Sequence, residues 1–239
     1  GLFSTTTAGF QALQGKLKPE MSNTEELGYR FHNRTIQASI TGYYVEFANR
    51  LLSVTQGVGI LGNASVLTNV GGVTARGVDM AFNWRFAKNW SLFASYAFNN
   101  SFYDSNVYAD GQISAQIKNK NVVGMPRNLA NVQLGYDDGR IWGNVLMQFQ
   151  DRRYYTYTND ASVPANDIFN LNVGYRFQSQ NWFLRGVDAQ INVTNLFDKR
   201  YVATVGSTGF VNSDPNGTVQ TLQAGAPRMV FFTLRKHFD

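Results

Sequence analysis

The densest run of chemically able side chains is Asp151-Arg152-Arg153-Tyr154-Tyr155-Thr156-Tyr157. Arginine carries a fixed positive charge and a planar fork of donors that matches paired carboxylate or catecholate oxygens, and tyrosine adds a stacking ring with a hydroxyl. The segment suits the capture of an anionic organic ligand. The same residue types also build the aromatic and basic girdles found where a protein crosses a membrane interface, and both uses are open to it. Tyr103, Tyr108 and Tyr201 are further ligand-contact candidates on the same reasoning.

Catalytic chemistry finds little material. The 239 residues include two histidines and no cysteine, which excludes a thiolate zinc site, a disulfide framework and a cysteine nucleophile. His32 and His237 each lack a second histidine two or four residues away, against a histidine-pair metal site. Gly57-Val58-Gly59 and Gly71-Gly72 are not followed by a helical pattern, so no phosphate-binding loop is supported. Asn63-Ala64-Ser65 and Asn216-Gly217-Thr218 match the glycosylation sequon as chance would allow. The net charge of +5 is spread along the chain, which speaks against nucleic acid as a partner. The expectation is a non-enzyme with no intrinsic cofactor.

Composition points to the elements that must position these residues. Charged residues make up 15% of the chain and aromatics 14%, against roughly 25% charged in soluble domains. Few charges, many rings and a negative mean hydropathy suit a transmembrane β-barrel, with polar residues facing a wet lumen and apolar ones facing lipid. No apolar run approaches the roughly 20 residues of a membrane-crossing helix. The chain opens on Gly1 without a charged or apolar leader, so no signal peptide is expected within it.

Period-2 alternation runs through nine segments: 24–32, 34–49, 70–87, 90–104, 126–137, 140–152, 166–178, 183–201 and 225–238. In one of them Val78, Met80, Phe82, Trp84 and Phe86 alternate with Asp79, Ala81, Asn83 and Arg85. Asn, Gln, Ser, Thr and Gly dominate the second face, where a soluble sheet would carry more Lys and Glu. That face reads as a hydrated interior. Lumen-facing Asp79, Arg85, Arg176 and Asp188 are expected to form ion pairs or to contact a plug. The connections alternate between short turns at 32–34, 87–89, 137–139 and 178–181 and long polar loops at 50–69, 105–125, 153–165 and 202–224. Short turns on the periplasmic side and long loops outside are the outer-membrane arrangement. Trp90, Trp142, Tyr43-Tyr44, Tyr154-Tyr155 and Trp182-Phe183 gather near strand ends, as interfacial girdles do.

Nine is an odd count, whereas bacterial barrels close with an even one. Either a tenth strand lies within Gly1–Pro19 or the rest of the barrel lies upstream. The segment NVTNLFDKRY at 192–201 resembles the signature near the C-terminus of TonB-dependent receptors, and GAPRMVFFTLRKHF at 225–238 resembles the family's last strand. LKPEMSNTEELGY at 17–29, NVGGVTARGVDM at 69–80 and NKNVVGMPRNLANVQLGY at 119–136 resemble three further family blocks, in the expected order. Asp239 after Phe238 departs from the usual terminal aromatic.

The resemblance implies an all-β, antiparallel up-and-down transmembrane barrel of about 22 strands, with residues 1–239 supplying about nine C-terminal strands. The plug domain, with its TonB contact, and the N-terminal strands would be absent from this chain. It implies a bacterial outer-membrane importer, energised by the TonB complex through the plug, for a siderophore-iron complex or a similar scarce nutrient. Heme, cobalamin, nickel complexes and oligosaccharides use the same scaffold in this family. Outer-membrane lipid, lipopolysaccharide and an extracellular ligand are the other expected partners. A passive porin and a barrel-type outer-membrane enzyme are the alternatives. The first would want an acidic constriction loop and the second a histidine at the extracellular rim.

Overall fold

Alternation sustained over ten or more residues puts one chemistry on each side of an extended chain, because successive side chains of a strand point to opposite faces. In the computed structural model, which describes residues 18–55, 65–69, 71–109, 112–181, 183–206 and 221–237, the alternating segments become nine strands of one sheet. They are β1 (Met21–His32), β2 (Ile36–Ala48), β3 (Val73–Ala87), β4 (Trp90–Tyr103), β5 (Asn128–Asp137), β6 (Ile141–Gln150), β7 (Asn166–Arg176), β8 (Val187–Thr194) and β9 (Met229–Lys236). Every strand pairs antiparallel with its sequence neighbour, so the sheet is a plain meander from β1 to β9. β3 and β4, with 15 and 14 residues, exceed the roughly 9–11 that a tilted strand needs to cross a bilayer.

All nine expected strands are present, with shifted ends. β1 begins at Met21, and β8 ends at Thr194 instead of running to 201. A tenth strand within Gly1–Pro19 was placed on residues almost all of which lie outside the described ones. Each long loop carries a two-stranded ribbon that its polar composition concealed. The pairs are Leu51–Thr55 with Ser65–Asn69, Val107–Ala109 with Gln112–Ala115, Arg153–Tyr154 with Ser162–Val163, and Val202–Gly206 with Thr221–Ala224.

Register sorts the two faces. Met80 lies opposite Ile40 and Tyr96, Val132 opposite Ala94 and Met147, and Ile191 opposite Val173 and Phe232. Directly opposed residues share a face, so these rows join into one apolar band across the sheet. The band is open: Met80, Leu134, Ile191 and Phe232 are 42%, 41%, 48% and 67% exposed. So broad an apolar surface needs an apolar neighbour. Among the described residues, most of the buried hydrophobic side chains (Val73, Ala75, Tyr103, Ile117, Tyr157, Val163 and Ile168) gather at the long-loop end, with Val187 near the short turns. No dry core lies behind the band itself.

The opposite face is a wall of amides. Asn131 donates to Ser95 Oγ at 3.1 Å, Asn170 to Gln148 Oε1 at 3.1 Å, and Gln190 to Asn172 Oδ1 at 2.9 Å and Asn192 Oδ1 at 2.6 Å. Phe82, Trp84, Phe86, Trp90 and Tyr136 form a chain of ring contacts on the apolar face, centroids 4.8–6.4 Å apart. Trp90 thus lies on the apolar face, at the short-turn end of β4. Trp142 does not: its ring lies flat over Gly174 on the polar face, where a Cβ would collide with it, and Arg176 stands 5.4 Å from the ring. Tyr43 also turns to the polar face, accepting a 2.8 Å bond from Asn99 Nδ2. Trp182 lies outside the described residues.

This sorting predicts an asymmetric response to charge. In the full-length protein, Val132→Arg on the exposed band is expected to cost about 2–4 kcal/mol of stability in lipid. Gln133→Arg, one residue on but on the amide face, should cost under about 1 kcal/mol. Denaturant unfolding in liposomes checks this, and equal costs at both positions would overturn the assignment of faces.

Candidate functional site

The long-loop end is held together by asparagines. Just past β8, Asn195 adopts φ of 49°, a left-handed conformation that asparagine tolerates better than most residues. Its backbone N–H donates to Asn170 Oδ1 at 3.0 Å, and its Nδ2 donates to the carbonyls of Lys199 at 2.8 Å and Ala226 at 3.0 Å. Its Oδ1 accepts the Lys199 N–H at 2.8 Å. One side chain, 3% exposed, thus turns the chain out of β8 and ties it to the approach to β9. Asp198, also at positive φ (53°), accepts the Arg228 N–H at 2.9 Å. Lys199 ion-pairs with Asp167 at the start of β7. The NLFDK stretch is a structural rim.

A second staple joins the loops after β4 and β6. Asn159, at φ of 59°, accepts the Asn121 N–H at 2.6 Å and donates to the Asn121 carbonyl at 3.0 Å. Nearby, the Gly124 N–H donates to the Tyr154 carbonyl at 2.8 Å. Tyr103, Ile117, Tyr157 and Val73 pack into a small core beneath, 0–4% exposed, with Phe47, Val122 and Val123 against it. The two tyrosine rings meet at 5.8 Å.

These contacts divide the expected ligand residues. Arg153 is buried (4% exposed) and gives Nη1 to the Ala203 carbonyl at 3.0 Å and Nη2 to the Val202 carbonyl at 2.6 Å. Burial pushes its pKa down, and its two terminal nitrogens tie the loop after β6 to the loop after β8, while its buried Nε finds no partner. Tyr103 and Tyr157 are likewise loop core. All three were expected at a ligand surface, and the structure buries them among the loops instead. Arg152 is exposed, with its guanidinium 5.3 Å from the Tyr154 ring centroid. Tyr154 and Tyr155 are half-buried on the same segment. Tyr201 is half-buried, its ring pressed over Gly225, where no Cβ fits. Tyr108 sits in the Val107–Ala109 ribbon. Of the expected ligand residues, Arg152 is thus exposed and Tyr154, Tyr155 and Tyr201 are half-buried.

On the amide face at the short-turn end, Arg176 grips Asp137 with two bonds of 2.7 and 3.0 Å, and His237 lies 3.2 Å from Asp188. Of the four expected lumen charges, Arg176 thus forms an ion pair and Asp188 has a neighbour in His237. No group of three or more His, Asp or Glu able to hold a metal occurs among the described residues. The staples at Asn121, Asn159 and Asn195 were missed. Asparagines inside polar, glycine-containing loops were their only signal.

Comparison with known proteins places this geometry. Residues 1–196 match the family model described as "TonB dependent receptor-like, beta-barrel". The chain is 29% identical over 147 residues to the ferrioxamine B receptor of Salmonella typhimurium, covering 59% of this chain and 20% of that protein. It is 26% identical over 212 residues to the ferric-pyoverdine 358 receptor of Pseudomonas putida, covering 85% and 24% respectively. The chain thus spans about a fifth to a quarter of the curated relatives it matches. The crystal structure of the ferric yersiniabactin uptake receptor of Yersinia pestis shares its fold, with a TM-score of 0.70 at 19% identity over 92% of this chain and 30% of that one.

Two substitutions separate scaffold from surface. Arg153→Ala strands two carbonyls and is expected to speed proteolytic cleavage between 198 and 225, whereas Arg152→Ala leaves the cleavage rate unchanged. Asn195→Ala removes three side-chain hydrogen bonds and should cost roughly 2–3 kcal/mol at about 1 kcal/mol each, read as a lower unfolding midpoint. An unshifted midpoint would refute the staple.

Proposed function

The chain belongs to the TonB-dependent receptor β-barrel family, and on that footing we propose that it is a C-terminal portion of an outer-membrane importer of a ferric siderophore or related metal complex. The observation that carries this reading is the sheet itself. One face is a continuous exposed apolar band and the other an amide wall, and β1 and β9 each have a single neighbour among the described residues. An edge left bare in hydrocarbon costs several kcal/mol per unpaired backbone group, so further strands complete the barrel. A plug domain belongs to the same proposal, as does its contact with TonB, which supplies the work of import. Relatives whose names specify ferrioxamine B and ferric pyoverdine support iron chelates as the cargo class.

In this reading the long loops face the exterior and meet the ligand first. Arg152, steadied by cation–π contact with Tyr154, offers guanidinium donors to the anionic oxygens of a ferric chelate. Tyr155 and Tyr201 supply rings and hydroxyls near it. The amide wall carries the passage: amides bond passing oxygens without the tight hold of a full charge, so the ligand is released onward. The apolar band faces lipid, and the outer rim meets lipopolysaccharide.

Expression of the full-length protein in a host lacking its own siderophore receptors tests this directly. Radioiron uptake from a panel of ferric siderophores is expected for at least one chelate and should vanish when TonB is deleted. Arg152→Ala is expected to raise the half-saturating concentration roughly tenfold, the worth of one lost charge-assisted hydrogen bond. Uptake that ignores TonB, or diffusion of small solutes at a porin's rate, would sink the proposal.

A further inference from the structure

At the short-turn end of the apolar face a groove of about 350 Å³ opens between β5 and β7. Its walls are Trp90, Tyr136, Ile141 and Val173, and its floor is Gly143, which has no side chain to fill the row. Deeper along the same strands it is lined by Leu134, Val145 and Leu171. Its long axis follows the strands from the turn at Asp138 toward the middle of the band.

The mouth carries two opposite charges on the same face. Asp137 and Asp138 are adjacent, yet they sort apart: Asp137 goes to the amide face with Arg176, while Asp138 Oδ2 accepts the Tyr136 hydroxyl at 3.1 Å on the apolar side. Asp138 Oδ1 accepts the N–H groups of Arg140 at 2.8 Å and Ile141 at 2.6 Å. These N–H groups hold its carboxyl below the usual carboxylate range, so it stays charged. Arg140 is anchored from the other flank, donating Nε to the Tyr175 hydroxyl at 2.5 Å with its guanidinium 5.1 Å from that ring's centroid. Tyr136 and Tyr175 stand on β5 and β7, on either side of β6, about 10 Å apart by ordinary strand spacing. One nitrogen of Arg140 is thereby committed, leaving donors for an anion, and Asp138 Oδ2 keeps acceptor capacity for a cation.

We propose that this groove binds a zwitterionic aminophospholipid of the periplasmic-side leaflet. One acyl chain lies over Gly143 between Tyr136 and Val173, the phosphate rests on Arg140, and the primary ammonium on Asp138. Charge complementarity selects the occupant. A phosphatidylglycerol gives Asp138 no cation, and a quaternary choline offers it no N–H. The inference rests on the outer-membrane reading, and the test separates the two.

The full-length protein is first recovered by membrane fractionation and checked for the heat-modifiable mobility of a folded barrel. It is then titrated in detergent with phosphatidylethanolamine, phosphatidylglycerol or phosphatidylcholine and followed by native mass spectrometry. Phosphatidylethanolamine is expected to be retained about threefold better than either, the factor an exposed ion pair carries. Asp138→Asn keeps the turn's acceptor and removes the charge, and should bring phosphatidylethanolamine down to the phosphatidylglycerol level. Arg140→Gln should lower retention of all three lipids. Equal retention of the three lipids by the unmutated, membrane-inserted protein overturns the lipid site alone, as does a preference that survives both substitutions. A protein found outside the membrane overturns the outer-membrane reading beneath it.

Discussion

A backbone amide placed in hydrocarbon has no water to bond and must find its partner within the protein. The ladders reflect that demand. Of the eight strand pairings in the main sheet, the one register shift falls between Trp84 and Ala87, beside a short turn. Elsewhere the pairing runs unbroken across the level of the apolar band, and irregular backbone is confined to the two ends. The meander order follows too, since consecutive antiparallel strands joined by tight turns bring no crossover through the layer. Among the described residues, the outer edges of β1 and β9 are left without a strand partner.

Once the backbone is satisfied by pairing, the side chains are free to divide the two solvents, and they do so with amides more than with charges. Asn131, Gln148, Asn170, Asn172, Gln190 and Asn192 bond to one another or to hydroxyls across strands. A wall of this kind is wet without being strongly charged. The ion pair of Arg176 with Asp137 and the contact of His237 with Asp188 sit at the end instead, by the short turns. Water screens them there, and an exposed pair contributes at most about 1 kcal/mol. Their worth lies in fixing the turns.

Strand number and the identity of the apolar face were legible because period 2 is imposed locally, residue by residue. The ends of the strands were less so. β8 stops at Thr194 because Asn195 finds partners at Asn170, Lys199 and Ala226, and nothing adjacent in sequence announces contacts 25 and 31 positions away. The loop ribbons hid for a related reason, as strands of two to five residues are too short to display a period. Arg152 and Arg153 show the limit most sharply. They looked equivalent as neighbours in one basic and aromatic run, yet one points out over Tyr154 while the other is buried under the loop after β8. Its partners are carbonyls, which every residue possesses and which no composition can reveal.

That burial changes what the ligand-facing loops can be. Three of them are connected by direct bonds: Asn159 joins the loop after β6 to the loop after β4, and Arg153 joins it to the loop after β8. Freely moving loops would lose conformational entropy separately on closing over a ligand, at about 0.5–1.5 kcal/mol for each ordered side chain. Loops already tied to one another have lost much of that freedom on folding. Arg152 and Tyr154 are carried on the central member of the group, which is tied to both neighbours through bonds of 2.6–3.0 Å. Asparagines and one buried arginine thereby join three loops into a single rim beneath an exposed guanidinium.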